Sequence, residues 1–200
     1  MNEIEVGSNM AALIENTEIG SLTENEKEGI LVMREEEKLA RDIYLVLADA
    51  WDIPVFANIA RSEATHLAAM GALIERYSLD DPIADSEAGQ FRNSELQAIY
   101  DELTDRGRVS LEKALKVGAL IEDLDIADLQ RLITESDNDD IRIIYQNLLK
   151  GSRNHLRSFA RQLSRFRLDY SPQYITDADF RQITGSPNER GLISTPDSKF

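Results

Sequence analysis

Four stretches of this chain repeat apolar residues at helical spacing, and each breaks its own stripe near the middle with ligand-type polar residues. The first stripe runs Ile30, Met33, Glu37, Ala40, Tyr44, Leu47, Trp51, and the second Phe56, Ile59, Glu63, His66, Met70, Leu73, Tyr77. The third runs Leu111, Leu115, Gly118, Glu122, Asp125, Leu129, Leu132, and the fourth Ile141, Ile144, Leu148, Ser152, His155, Phe159, Gln162, Phe166. Residues three or four apart share one helix face. The face that buries the core therefore also buries ionisable groups, and an acceptable fold must bring partners to them.

Helix boundaries follow from local chemistry. Thr23 with Glu26 three residues on has the pattern of a capping box and opens a helix over 24–50. "WDIP" closes it, because Ile53 precedes a proline, and Pro54 suits the first turn of the next helix. "SLDDPIADSEAGQ" is a linker of turn formers, followed by a short helix capped by Asn93 or Ser94 and closed by Gly107. Ser110 caps a third long helix, "TESDNDD" breaks it, and Asp139 or Asp140 starts the fourth. No alternating β-branched run and no Asn-Gly hairpin occurs. The predicted fold is all-α: a four-helix bundle with a crossover connection between the second and third long helices, and extra short helices. Residues 1–21 are predicted to be an N-terminal arm, 22–185 the bundle domain with a short helix at 177–183, and 186–200 a disordered tail.

Buried carboxylates without partners are costly, and several facing one another are costlier still. Divalent cations remove both problems. Di-iron bundles take a Glu from each of two helices and Glu-x-x-His from each of the other two. "EATH", Glu63 to His66, is one full copy; "SRNH" carries Ser152 where the second glutamate would stand. The candidate ligands are therefore Glu37, Glu63, His66, Glu122, Asp125 and His155, with Asp125 compensating for Ser152. With Asp125 the set neutralises two divalent ions; without it the site holds one, or two unequally. Tyr44, Tyr145 and Ser152 are candidates for hydrogen bonding behind the ligands. The helix-interior glycines Gly71, Gly118 and Gly151 mark either close helix contacts or room for a ligand.

A net charge of −15 argues against nucleic acid and against anionic membrane surfaces as partners. The absence of cysteine excludes disulfides, thiol catalysis and Cys-ligated iron. The N-terminal segment is acidic where a signal peptide is basic, and no apolar run approaches the ~18 residues of a membrane span. These features predict a soluble, cytoplasmic protein.

Three blocks carry a family resemblance: "MREEEKLARDIYLVLADAWDIPVFANIARSEATHLAAMGALIERY", "VGALIEDLDIADL" and "NLLKGSRNHLRSF". Together with "SPQYIT" they resemble the DUF2202 family over residues 22–185, within the ferritin-like superfamily. "EKLARDIY" is more distantly similar to the first helix of rubrerythrin-type proteins, where a ligand glutamate precedes a tyrosine by seven residues, here Glu37 and Tyr44. The resemblance implies a non-haem di-iron or manganese carboxylate site and chemistry with dioxygen, peroxide or ferrous iron. Carboxylate and imidazole ligands suit iron and manganese, with zinc an alternative.

Three functions stay open at this point. One is a redox enzyme of peroxidase or ferroxidase type, which needs an external electron donor because no rubredoxin-type cysteines are present. The second is iron handling by a multi-subunit cage, against an expected monomer or homodimer. The third is a non-catalytic binding module that metal merely stabilises.

Overall fold

The structure, a computed structural model, describes residues 10–15 and 17–196. Among these residues it is all-helical. Helix α1 (Glu24–Ala50) begins at the expected capping box: Thr23 Oγ1 accepts from the Glu26 backbone N–H at 3.2 Å, and Glu26 accepts from the Thr23 N–H at 2.9 Å. Three residues separate it from α2 (Pro54–Arg76), so the pair forms a helical hairpin. Ser110 caps α4 (Leu111–Glu135), which returns through α5 (Asp139–Arg165) as a second hairpin. The hairpins pack bundle-like, with α1 against α4 and α2 against α5.

The connection between the hairpins is pinned to α1 rather than left as a loop. The fully buried Lys38 ammonium donates to Asp42 at 2.6 Å and to the carbonyls of Glu87 and Gln90 at 2.8 and 3.1 Å. It also lies 4.4 Å from the Phe91 ring. Glu35 accepts the backbone N–H groups of Arg92 and Asn93. Helix α3 (Ser94–Arg108) follows and packs on α1 and α4. A last helix, α6 (Asp177–Gly185), lies against α5.

At the termini one expectation is narrowed and one needs correction. Within the predicted N-terminal arm, which the sequence leaves as either a loose segment or a short helix, a helical turn over 10–14 buries Met10 and Ile14 in the core; residues 1–9 and 16 lie outside those described. Within the predicted disordered tail, residues 189–193 lie along α5. Arg153 and Arg157 both donate to Glu189, and Asn147 exchanges two hydrogen bonds with Ile193. Low hydrophobicity concealed this segment, because charged and backbone hydrogen bonds hold it rather than an apolar stripe. Residues 197–200 lie outside the described structure. No helix among the described residues is long and apolar enough to cross a membrane.

Candidate metal centre

The mid-helix polar residues of all four long helices meet in the interior. Glu37, Glu63, His66, Glu122, Asp125 and His155 are each 7% exposed or less. Glu63 is central. One of its oxygens lies 2.7 Å from His66 Nδ1 and the other 2.8 Å from His155 Nδ1. Glu37 approaches His66 Nδ1 at 3.3 Å, and Glu122 approaches His155 Nδ1 at 3.4 Å. The cluster thus has two halves, Glu37 with His66 and Glu122 with His155, joined by Glu63. The two imidazoles stack with ring centroids 5.4 Å apart.

The supporting contacts turn each donor inward. Tyr44 donates to Glu122 Oε1 at 2.5 Å, which leaves Oε2 toward His155. Ser62 Oγ and His155 Nε2 share a hydrogen bond of 2.9 Å, which directs Nδ1 at the cluster. His66 is oriented by shape instead: a Cβ built on Gly151 would fall 2.4 Å from its Nε2 and Cε1. Gly151 therefore marks a close helix contact, and so does Gly118, whose Cβ would meet the Phe159 ring at 2.3 Å.

Asp125 and Ser152 form a pair of their own. Ser152 Oγ donates to Asp125 Oδ2 at 2.8 Å. The hydroxyl that replaces a glutamate on α5 thereby holds a carboxylate from α4. Tyr145 is not part of the centre, contrary to the sequence reading. Its hydroxyl lies by Gly29 on α1, ten residues and about 15 Å along α5 from His155. One group escaped the sequence reading. Ser62 gave no signal, being one of several polar residues beside the stripe, whereas Gly151 is marked in the sequence as a helix-interior glycine and proves to be a close contact.

The electrostatics are those of a crowded site. Burial pushes the Glu37 carboxyl up to about 7 against the pull of His66. Burial likewise raises Glu122 against His155. It raises Asp125 well above its ordinary value, reinforced by Glu37, Glu122 and Glu63. At Glu63 burial is outweighed by the two imidazoles, which hold it far below the usual carboxylate range. Burial also opposes the charged forms of the histidines. Glu37 and Glu63 nevertheless raise His66 well above normal, while Glu63 and Glu122 raise His155 to about 10.

These donors fit a metal. Both oxygens of Glu37 and of Glu63, Glu122 Oε2 and both Nδ1 atoms are buried without a hydrogen-bond partner. The approaches among them are short but poorly aligned for hydrogen bonding. Ligand atoms about 2.1 Å from one ion sit about 3 Å from each other, which is the spacing found here. Glu63, His66 and His155 each offer a ligand atom within 4.8 Å of the other two.

A family model for an uncharacterized protein domain, DUF2202, matches residues 26–187. The chain belongs to the DUF2202 family. A relative of this DUF2202 protein is the uncharacterized protein MJ0754 of Methanocaldococcus jannaschii. It is 48% identical over 171 residues, 86% of this chain and 92% of that protein. A crystal structure titled as hypothetical protein MJ0754 from Methanococcus jannaschii matches with a TM-score of 0.86 at 46% identity. That match covers 88% of this chain and 100% of the other.

Proposed function

We propose that this DUF2202 protein is a ferritin-like metal-carboxylate protein that holds two iron or manganese ions and carries out redox chemistry with dioxygen or peroxide. The observation that carries this reading is Glu63, fully buried, with one oxygen against each of two histidines and neither oxygen hydrogen-bonded. Glu37, Glu63 and His66 would hold one ion, and Glu63, Glu122 and His155 the other. Asp125 supplies a fourth carboxylate, so four negative groups and two imidazoles balance two divalent charges. Bound iron or manganese would supply one-electron redox chemistry toward small oxygen species.

The protein's own contribution is orientation and dryness. Tyr44 and Ser62 turn Glu122 and His155 toward the centre, and Gly151 admits the His66 ring. Tyr44, Phe56 and Phe159 pack with centroids 5.5 and 5.8 Å apart in an apolar layer beside it, which keeps bulk water out. The ferritin-like assignment is supported by the paired hairpins, the intervening crossover and the placement of acids and histidines on all four long helices.

The test is anaerobic loading with ferrous iron, metal analysis, and then a pulse of hydrogen peroxide followed by absorption spectroscopy. Two ions per chain and a rapid spectral change are expected. Two bound ions with no change in spectrum would leave a metal-stabilised module without redox activity. Failure to bind any divalent metal would overturn the reading.

A further inference from the structure

The crossover helix α3 and the segment after α5 supply none of the proposed ligands, yet together they wall a cavity that reaches one of them, Asp125. It encloses about 190 Å³. Glu102 and Tyr174, both exposed, stand at its mouth; Leu103, Ile121 and Asp125, all buried, line its inner end. Asp125 is thus a shared wall, facing the cavity while bonded to Ser152 beside the histidine cluster.

The outer wall is built rather than incidental. The buried Asp123 carboxylate accepts the Tyr170 hydroxyl at 2.7 Å and the backbone N–H groups of Gln173, Tyr174 and Ile175 at 2.5, 3.3 and 2.8 Å. Charge-assisted bonds of this kind hold the 170–175 segment in one place.

The lining names the class of occupant. A dry cavity of about 150 Å³ lined by aliphatic residues accepts benzene, so this one has room for slightly more. Six of its twelve wall residues are aliphatic, and Glu36, Glu102, Arg106, Asp125, Gln173 and Tyr174 make up the rest. Its polar lining includes the buried Asp125 and the half-buried Arg106 and Glu36, and one Glu36 oxygen is buried without a hydrogen-bond partner. A carboxyl group keeps an accepting oxygen whether or not it is protonated, so these acids favour a ligand end that donates a hydrogen bond.

We propose that this cavity binds a small molecule with an apolar body of about seven heavy atoms and one hydrogen-bond-donating end, and presents it to the metal centre as a substrate. The binding site stands on the cavity alone; presentation to a metal rests on the reading given under Proposed function.

The probes are phenol and toluene, which share a body and differ in the donor. Metal-free protein labelled with ¹⁵N is titrated with each. Saturable shifts at the Leu103, Ile121 and Tyr174 amides are expected, with phenol binding several-fold tighter than toluene. Ile99→Trp and Leu120→Trp, both at half-buried wall positions, are expected to weaken phenol binding at least tenfold while retaining the helical spectrum. Shifts that never saturate, or wild-type affinity in both folded variants, would overturn the site. In cobalt-loaded protein, phenol is expected to change the visible cobalt absorption. Phenol binding with an unchanged cobalt spectrum would overturn presentation to the metal. Phenol binding by protein that takes up no cobalt would overturn the metal reading and presentation together, and would uphold the binding site.

Discussion

Ser152 donates a 2.8 Å hydrogen bond to Asp125, and both side chains are buried. A neutral hydroxyl on one helix thus positions a carboxylate on another, in a place where a second Glu-x-x-His motif would have supplied its own acid. Removing the hydroxyl leaves Asp125 short of a partner. Ser152→Ala is expected to cost about 1–2 kcal/mol in urea unfolding. Metal analysis is expected to show unchanged stoichiometry with affinity reduced several-fold, since Ser152 positions a ligand and is not one. Loss of an ion on this substitution would show direct ligation instead.

Gly151→Ala has opposing effects whose sign the geometry decides. In an open helix the change gains about 1 kcal/mol of propensity. Here the new methyl would fall 2.4 Å from the His66 ring, which must move. Divalent metal affinity, read by cobalt titration, is expected to fall at least tenfold, with no gain in melting temperature.

The three glutamates are not equivalent. Of the two histidines, Glu37 approaches only His66, Glu122 only His155, and Glu63 both. Glu37→Gln is therefore expected to leave one tightly bound ion per chain, whereas Glu63→Gln is expected to lose both. Plasma emission analysis after desalting separates the outcomes, and equal losses from the two variants would contradict the bridging position of Glu63.

Acid stability should depend on Glu26. Burial opposes its ionisation, but hydrogen bonds from Thr23, Asn138 and Asp137 outweigh burial and hold its carboxyl below the ordinary 4.5. A depressed value in the folded state stabilises the protein above pH 4.5, and that contribution is lost as pH falls through the lowered value. Glu26→Gln is expected to destabilise by about 1–2 kcal/mol at pH 7, since an amide oxygen replaces two acceptors. The gap between the variant and the parent should shrink toward pH 3, as measured by chemical denaturation.

Glu37, Glu63, His66, Glu122 and His155 were legible in the sequence because helical periodicity is local: spacing alone places a residue on the buried face. The helix starts at Thr23, Pro54 and Ser110 were legible for the same reason, since a cap is satisfied within three residues. Periodicity alone did not name the partner of either buried tyrosine. Tyr44 lies on its stripe and Tyr145 one residue after Ile144 on its own, both are fully buried, and the packing of the hairpins sends one to Glu122 and the other to Gly29. Asp123 shows the same limit: it lies off the core stripe, yet the chain from Tyr170 to Ile175 folds back over it and buries it completely.

The sequence by itself determined four amphipathic helices and the ligand-type residues on their inner faces, because each depends on neighbours within a turn or two. Only the tertiary structure decided the pairing of Ser152 with Asp125, the seating of His66 on Gly151, the tail along α5 and the cavity behind α3. The first three join residues 27 to 85 positions apart and the cavity wall runs from Glu36 to Tyr174, and their geometry follows from how whole helices pack, which no local pattern encodes.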